Sequence, residues 1–418
     1  INNTYVEGST FYGFNATGNL LGSKFRDNLV TNTVGIGGGL GHGLHLENAR
    51  NLAVYNNIGE DSFGSGLYVT GDTTGTTVTN NLFDGNRVGI SLINATDAAI
   101  GGLGEDDGNT VIGGSDAANG VYRDGIQVVG TSTGSSVIGS DVSDVTTGVT
   151  LENATGAVVR LNTVTGAEFL GVNASGTLTG TELKDNTVTG SGGLGALGHG
   201  IYLANASDLS ITGNVLVSSA GGGLYATGTT TGTTVYDNVF DGNRVAIYLV
   251  DATNAVIGGS APGEDNYIVG GGDASKGDFR DGILATGTLT GSSITQTDIV
   301  NTATGITLSA ANGLFITSAT VTGSQVWGLN ASGECVSAVI SSTFTLTAGS
   351  AGGGAGVLLS GVQSFLIQSA TISNNVIGLL ATGNCTASAV RGTTWSGNTT
   401  GVINNSTGAP PLEIDPLP

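Results

Sequence analysis

A four-residue pattern recurs along the chain: glycine, an aliphatic residue, any residue, and then a second small or aliphatic residue. It reads GLHL at residues 43–46, GLYV at 66–69 and GISL at 89–92, so the step between copies is 23 residues. The alternation of apolar and variable positions within each copy predicts short β-strands rather than helices. Repetition at a fixed period of this length predicts a solenoid.

A 23-residue unit fits one rung of a parallel β-helix, in which three short strands alternate with three turns. Successive rungs stack about 4.8 Å apart, and each strand pairs with its copies in the rungs above and below. We expect the pattern glycine to allow a tight turn before the strand. Sixteen copies of the pattern start between residues 13 and 401. This predicts an all-β, single-stranded parallel β-helix (solenoid) of about 16 rungs of 23 residues with periodic loop insertions.

A longer repeat is superimposed on the rungs. The sequence LGHG at residues 40–43 returns at 197–200, and the next copy of this larger unit begins at Gly356. Long insertions at 101–124 and 258–281 hold the same place in successive copies and do not have the composition of a linker. We therefore predict one continuous β-helix over residues 1–408, with superrepeats at about 1–42 (partial), 43–199, 200–355 and 356–408 (partial). Residues 409–418 are proline-rich and are predicted to form a C-terminal cap or linker.

Asparagine recurs at one place in the rung. Stacked amides can hydrogen-bond along a β-stack, and asparagine tolerates the left-handed conformation of turns. We predict a partial asparagine ladder, which lapses after residue 246, where threonine and alanine take the position. The predicted members are Asn28, Asn57, Asn81, Asn162, Asn186, Asn214 and Asn238.

Composition limits the partners of the protein. The net charge of −21, with 11 basic and 32 acidic residues, disfavours nucleic acid and other polyanions. No apolar run approaches the roughly 20 residues that a membrane span needs. The low charged content of 10%, beside abundant Thr, Ser, Gly and Asn, is typical of extracellular repeat proteins. The chain contains no Met, which indicates a processed chain or a piece of a longer one.

Two segments resemble a known family. Residues 99–113 read AIGGLGEDDGNTVIG and residues 255–270 read AVIGGSAPGEDNYIVG, and both resemble the right-handed β-helix repeats of bacterial surface and secreted proteins. Those proteins belong to the broad pectate-lyase-like superfamily, and the resemblance covers essentially the whole chain. It implies that the predicted β-helix is right-handed. It leaves the function open, because the superfamily holds lyases, hydrolases, epimerases, phage tailspikes, adhesins and structural fibres.

The β-helix enzymes that the chain resembles act on polyuronates, and they need basic residues for the carboxylates and an acid or base at the scissile bond. Here Arg123 and Arg280 recur at the superrepeat, whereas an active site is normally built once. Aspartate follows each of them, so we interpret such pairs, with Lys184 and Asp185 among them, as ion pairs that lock turns. The Gly-His-Gly at 41–43 resembles the motif of polygalacturonases, but the other parts of that motif are absent. No catalytic residue is predicted.

The two insertions are rich in oxygen ligands within glycine-rich loops, and such ligands suit Ca²⁺. Neither an EF-hand loop nor a nonapeptide calcium repeat is present, and solvated loops explain the same residues without a metal. Apart from this calcium site, no cofactor is predicted. The candidate metal ligands are Asp107, Asn109 and Asp116 in the first insertion, and Glu264, Asn266 and Asp273 in the second.

The two cysteines, Cys335 and Cys385, lie at the same phase two rungs apart. Flat stacking would put them roughly 9–10 Å apart, beyond the reach of a disulfide. A bond would form only if their longer loops closed over the shorter turn between them, which an oxidising compartment would permit. The sequence leaves the free and the bonded states open.

The polar clusters recur at the superrepeat, whereas an enzyme needs one unrepeated cleft. We therefore predict an extracellular or cell-surface β-solenoid that is structural or adhesive, a rigid rod in a fibre, sheath or layer without enzyme activity. The chain opens in mid-rung, so end-to-end self-association by axial stacking is expected. Neighbouring surface proteins and glycans are the other expected contacts. The alternative is a carbohydrate-active or carbohydrate-binding β-helix.

Overall fold

The computed structural model describes residues 1–35, 41–114, 121, 123–192, 198–259, 261, 263–270, 280–345 and 354–415. Regular secondary structure in these residues is β-strand throughout, and neighbouring strands pair in parallel. The prediction of an all-β, right-handed parallel β-helix is confirmed. Within the described ranges, no helix is long and apolar enough to cross a membrane.

Two compact units divide the chain. Unit 1 comprises Ile1–Tyr202 with Ala206–Asn214, and unit 2 comprises Leu203–Asn205 with Val215–Pro418. The continuity of one β-helix over residues 1–408 and the superrepeat boundaries stay predictions.

Each rung contributes one short strand to a first sheet and one or two strands to a second sheet. In one rung of unit 1, a long strand at Ser65–Asp72 and a short strand at Thr77–Thr79 belong to the second sheet, and Leu82–Asp84 belongs to the first. In unit 1 the first sheet comprises Tyr5–Glu7, Leu29–Thr31, Ile58–Glu60, Leu82–Asp84, Thr110–Ile112, Asp141–Ser143, Thr163–Thr165 and Thr187–Thr189. The second sheet comprises Tyr12–Arg26, His42–Tyr55, Ser65–Asp72, Thr77–Thr79, Val88–Thr96, Ala99–Gly101, Asp124–Thr131, Ser136–Ile138, Thr147–Thr155, Val158–Arg160, Leu170–Lys184 and His199–Thr212.

Unit 2 repeats this construction. Its first sheet comprises Val215–Val217, Val239–Asp241, Asn266–Val269, Thr297–Val300, Thr320–Thr322, Thr343–Thr345, Thr371–Ser373 and Thr394–Ser396. Its second sheet comprises Gly222–Thr229, Thr234–Tyr236, Val245–Thr253, Val256–Ile257, Asp281–Thr288, Ser293–Thr295, Thr304–Thr317, Trp327–Ser332, Val336–Ile340, Ala355–Ser360, Leu366–Gln368, Ile377–Asn384, Ala389–Arg391, Thr400–Thr407 and Glu413–Asp415.

The core consists of inward rows of aliphatic residues that run from rung to rung. One row in unit 1 joins Leu44, Leu67, Ile90 and Ile126, which pair in register and are fully buried. Fully burying a side chain of this size stabilises the fold by about 1.5–3 kcal/mol. The alternation of apolar and variable positions in the sequence therefore predicts correctly which side chains point into the core.

The pattern glycine is needed for close packing and not for a left-handed turn, so the turn expectation is wrong. Neither Gly66 nor Gly89 has a positive φ. A Cβ at Gly66 would lie 2.9 Å from the carbonyl oxygen of Gly89, and one at Gly89 would lie 2.8 Å from that of Gly125. Glycine lets successive rungs approach this closely at both positions, and Ala246 holds the corresponding position in one rung of unit 2.

Amide hydrogen bonds join successive rungs at the turn between the second and first sheets. Asn57 Nδ2 donates to Asn81 Oδ1 at 2.9 Å, and Asn81 Nδ2 donates to Asn109 Oδ1 at 2.9 Å. In unit 2, Asn238 Nδ2 donates to Asn266 Oδ1 at 3.2 Å. We call these asparagine–asparagine hydrogen bonds between successive rungs the amide series. Asn109 and Asn266, which the sequence assigned to calcium, belong to it. The other bonds of this kind in unit 1 run from Asn28 to Asn57, from Asn162 to Asn186 and from Asn186 to Asn214.

Both cysteines are free and buried. Cys335 Sγ donates to the carbonyl oxygen of Ala311 at 3.1 Å, and Cys385 Sγ donates to that of Thr382 at 3.3 Å. The backbone of Gln363, on the rung between them, donates to the carbonyl oxygen of Cys335. Because that rung keeps the thiols apart, the disulfide that the shared phase allowed does not form in this structure.

The described part of the C-terminal segment adds one more strand. Glu413–Asp415 pairs in parallel with Ala389–Arg391, and Arg391 forms an ion pair with Glu413. Leu412 is buried beside this strand. Residues 416–418 lie outside the described residues, and the role of the segment as a cap or linker stays a prediction.

Candidate functional site

Two residues of each rung in unit 1 face away from the core and form two outward rows on the long strands. Row one is the residue before the pattern glycine, and row two is the third residue of the pattern. We call these rows together the outer face of unit 1. Row one contains Tyr12, His42, Ser65, Val88, Asp124, Thr147, Leu170 and His199, and row two contains Asn15, His45, Tyr68, Ser91, Gln127, Thr150, Asn173 and Tyr202.

Four rings stack on this outer face. Tyr12 lies on His45 with ring centroids 4.3 Å apart, and His42 lies on Tyr68 with centroids 4.4 Å apart. His45 and Tyr68 are 5.3 Å apart and also stacked. The arrangement follows from the fold, because parallel strands lie about 4.8 Å apart. This spacing brings the row neighbours His45 and Tyr68 together, and it lets a row-one ring stack on the row-two ring of the next rung. We call these four rings the ring stack.

Hydrogen bonds fix both imidazoles of the ring stack. The backbone nitrogen of Ser65 donates to His42 Nδ1 at 2.9 Å, and His45 Nδ1 lies 3.0 Å from Asn15 Oδ1. Gly64 leaves the space that His42 needs, since a Cβ there would lie 2.7 Å from His42 Nδ1. The rings are therefore held in place before any ligand arrives.

Burial keeps the ring stack uncharged at neutral pH. Burial, with the neighbouring His45 as a second cause, lowers the pKa of His42 to about 4. Burial also lowers the pKa of His45, against the carboxylate of Glu47, and raises the pKa of the Tyr68 hydroxyl. The resulting surface is neutral and aromatic with polar edges, which suits a ligand that has an apolar face and hydroxyl groups.

Asp124 adds a carboxyl group to row one. Burial raises its pKa, while the hydrogen bond from Gln127 and the charge of Arg87 act in the opposite direction. Gln127 Nε2 donates to Asp124 Oδ2 at 3.2 Å. This carboxyl group can accept hydrogen bonds from ligand hydroxyls, and it keeps its proton to a higher pH than an exposed aspartate does.

A cleft of about 530 Å³ opens at the corner that precedes row one. Phe63, Arg87 and Arg123 line it, and each stands one or two positions before a row-one residue. Val34 and Asp61 add an apolar and an acidic group. Neither guanidinium has a hydrogen-bond or ion-pair partner among the described residues. The cleft therefore offers two positive groups beside an apolar wall.

The turn-locking ion pairs differ from the prediction. Within the described ranges, Arg123 forms no ion pair with Asp124. Asp185 lies 3.8 Å from Arg160 rather than pairing with Lys184. Adjacent residues of an extended chain point in different directions. Arg123 accordingly lines the corner cleft while Asp124 joins row one.

Unit 2 has an outer face of the same construction. Tyr225 and Tyr248 pair in row two. Their rings form a T-shaped contact with centroids 5.1 Å apart, so they do not stack. Arg280, which corresponds to Arg123, donates to the carbonyl oxygen of Gly242. The same positions of the fold thus hold different contacts in the two units.

Asp281 occupies in unit 2 the place of Asp124. Burial raises its pKa to about 6, against hydrogen bonds from Thr307 and Thr304. Thr307 Oγ1 lies 3.4 Å from Asp281 Oδ2. Repetition therefore preserves an acidic group at this position while changing its surroundings.

The predicted calcium site is not assembled. Asp107 Oδ2 accepts from the backbone nitrogen of Gly104 at 2.9 Å, and Glu264 Oε2 accepts from that of Ala261 at 2.8 Å, so each acid closes its own turn. No group of three or more His, Cys, Asp or Glu residues among those described could hold a metal ion. Asn109 and Asn266 are buried in the amide series, and Asp116 and Asp273 lie outside the described residues.

One protein family matches part of the chain. The family described as periplasmic copper-binding protein (NosD) matches residues 103–271, which is less than half of the chain. The matched segment contains one histidine, His199, and no Cys or Met. Copper prefers imidazole and sulfur ligands, and the described residues hold no metal-binding cluster. The donor set of the matched segment, as far as its residues are described, does not fit a copper ion.

Several solved structures share the fold at low sequence identity. A double mutant of the tailspike protein of E. coli bacteriophage HK620, in complex with a pentasaccharide, is 14% identical, with a TM-score of 0.53 over 92% of this chain and 72% of that chain. The periplasmic alginate epimerase AlgG is 9% identical, with a TM-score of 0.40 over 93% and 75%. An α-1,3-glucanase of Streptomyces thermodiastaticus is 15% identical, with a TM-score of 0.36 over 98% and 61%. No curated protein matches the sequence.

These comparisons overturn the interpretation as a structural or adhesive rod without enzyme activity. The similar structure with a TM-score above 0.5 is a tailspike protein in complex with a pentasaccharide, and none of the comparisons supports a filament or self-association. The sequence argument failed because a repeated backbone does not require repeated chemistry. Ser91 and Gln127 in row two of unit 1 correspond to Tyr248 and Leu284 in unit 2.

The sequence alone does not single out the ring stack, because His42 stands inside the repeat and within a tripeptide that resembles a catalytic motif. The available signal was the accumulation of Tyr and His at row positions in consecutive rungs, which a rung-by-rung alignment displays. The chain has the fold of a right-handed parallel β-helix, and this fold is similar to that of a tailspike protein solved with a bound pentasaccharide.

Proposed function

We propose that the outer face of unit 1 binds a glycan and that the protein is a carbohydrate-binding β-helix. The ring stack is the observation that carries the proposal. A sugar ring presents CH groups on one face and hydroxyl groups at its edge. The half-buried rings of Tyr12 and Tyr68, both stacked on the buried ring of His45, offer a surface for the CH groups. Gln127 and Asp124 offer hydrogen-bonding groups for the hydroxyls.

The neutrality of the stack supports this proposal. A protonated imidazole would carry a tightly held hydration shell, and its removal would weaken packing against CH groups. The lowered pKa of His42 removes that cost at neutral pH. The acidic surface of the chain and the names of the similar proteins accord with action in the periplasm or outside the cell.

Binding can be tested on an array of bacterial surface oligosaccharides, followed by calorimetry with the oligosaccharide that is retained. Tyr68→Ala should weaken binding about 10-fold or more, since loss of an aromatic contact costs about 1–3 kcal/mol. Tyr5→Ala is the matched control, because Tyr5 is exposed on the first sheet and bonds only to Glu7. Equal affinities of these two variants, or retention of no oligosaccharide, would contradict the proposal.

A second candidate function is glycosidic-bond cleavage at the same face. Asp124 favours it, because a carboxyl group with a raised pKa beside a sugar-binding surface can act as a general acid. The test is release of reducing ends from the retained oligosaccharide. Asp124→Asn should abolish release while it leaves affinity within a few-fold of the parent. An intact oligosaccharide after prolonged incubation with the parent protein would exclude this function.

A further inference from the structure

The arginines of unit 1 fall into two groups. Arg26, Arg50 and Arg160 each lie within 4.0 Å of an aspartate carboxylate, at 2.6, 2.8 and 3.8 Å. Arg87 and Arg123 have no such partner among the described residues. The chain carries 32 acidic residues against 11 basic ones, so carboxylates are not scarce. The two arginines that line the cleft are the ones with no carboxylate within 4.0 Å among the described residues, although the charge of Arg87 acts on Asp124.

Two exposed apolar side chains line the same cleft. Phe63 is 50% exposed and Val34 is 55% exposed, although both line a cleft of about 530 Å³. Apolar groups of this size gain about 25 cal/mol per Å² when a ligand covers them. The cleft therefore favours a ligand that has both a negative charge and an apolar group.

We propose that this cleft binds a sugar carrying both a carboxylate and a methyl-bearing substituent, such as an acetamido group. The carboxylate lies against Arg87 and Arg123, where a guanidinium can give two parallel hydrogen bonds. The methyl group lies against Phe63 and Val34. This inference rests on the proposed function and assigns a class of saccharide to the end of the outer face.

Neither feature alone fits the cleft as well. A neutral sugar leaves both guanidinium groups unmatched in a partly enclosed site. A polyanion without apolar groups leaves Phe63 exposed and meets the carboxylate of Asp61 and the net charge of −21. The combined ligand satisfies the arginines with one charge and covers the apolar wall.

Three monosaccharides separate the two requirements: N-acetylneuraminic acid carries both groups, glucuronic acid only the carboxylate, and N-acetylglucosamine only the acetamido group. Dissociation constants from saturation-transfer NMR should favour N-acetylneuraminic acid by about 10-fold over each of the others. Arg87→Ala or Arg123→Ala should weaken the binding of N-acetylneuraminic acid about 10-fold or more. Phe63→Ala should weaken the binding of N-acetylneuraminic acid without changing the affinity for glucuronic acid.

Arg50→Ala is the matched control, because it removes a guanidinium of the same unit that already pairs with Asp72. A thermal midpoint close to that of the parent shows that each variant is folded. Equal affinities for the three sugars, or an equal loss in Arg50→Ala and Arg87→Ala, would overturn the inference. Tyr68-dependent binding of a neutral oligosaccharide with no carboxylate preference would overturn this inference alone. Failure of every saccharide to bind would overturn the proposed function with it.

Discussion

The two units place the same rows on the same kind of core, and both partly bury an aspartate in row one, yet all three histidines of the chain stand in unit 1. Unit 1 buries imidazoles, and the pKa of His42 falls to about 4. Unit 2 buries a carboxyl group, and the pKa of Asp281 rises to about 6. In both units burial disfavours the charged form. The rung fixes where an outward side chain stands, and the residue type alone decides what that position does.

The largest expected effect is the pH dependence that His42 gives to unit 1. Its folded pKa of about 4 lies below the ordinary value of 6.5, so the unfolded chain binds the proton first. The free energy of unfolding should fall as the pH drops from about 6.5 to about 4, by roughly 3 kcal/mol at most. Urea unfolding across this range measures it. His42→Gln should flatten that part of the curve, and an unchanged slope in the variant would assign the effect elsewhere.

Gly64→Ala should break the ring stack while leaving unit 2 unaltered. The new Cβ would lie 2.7 Å from His42 Nδ1 and 3.2 Å from the carbonyl oxygen of Gly41. Overpacking of this kind costs about 1–3 kcal/mol, and glycan binding that depends on Tyr68 should be lost. Adding His42→Ala should recover part of the stability but not the binding. If the double variant is no more stable than Gly64→Ala, the contact with His42 is not the cause.

Asp281→Asn tests the opposite titration in unit 2. Because its folded pKa of about 6 exceeds the ordinary 3.8, the carboxyl group favours the folded state below about pH 3.8, and this contribution is lost as the pH rises through 6. The variant should therefore be more stable than the parent at neutral pH, by about 1–2 kcal/mol after allowance for partial exposure. Denaturant unfolding at both ends of the range gives the values. A variant that is less stable at neutral pH would show that the charged form is well compensated.

The smallest effect concerns the amide series. Asn266 pairs in register with Thr297, a fully buried residue at which the series stops in unit 2. Thr297→Asn should extend the series and raise the free energy of unfolding by about 1 kcal/mol, the net value of a typical hydrogen bond. Thr320→Asn, at an exposed strand position, serves as the control. A loss of stability in Thr297→Asn alone would mean that packing outweighs the added amide bonds.

The fold was predictable because periodicity reports burial directly. Leu44, Leu67 and Ile90 are separated by one rung length, and they form one inward row. The amide series was only partly predictable. Asn109 and Asn266 lie within the insertions, which shift their phase, so the sequence favours loop ligands although both residues belong to the series.

Most of the candidate site could not be predicted from the sequence. Arg87 and Arg123 belong to different rungs, and nothing in their local sequence shows that they share a cleft. Their adjacent aspartates suggested ion pairs, but the direction of each side chain is set by the corner geometry. The chemistry of the ring stack also depends on burial, which lowers the pKa of His42 by an amount that residue type does not reveal.

The close contact between pattern glycines and the carbonyls of the next rung makes the stack inextensible at that point. The sequence before row one differs in length: four residues separate Ile58–Glu60 from Ser65–Asp72, and eleven separate Thr110–Ile112 from Asp124–Thr131, while these strands keep their register. Length can therefore change there without disturbing the framework. For protein engineering, this corner is the place to exchange recognition segments, and for evolution it is the place where one framework acquires new specificities by insertion.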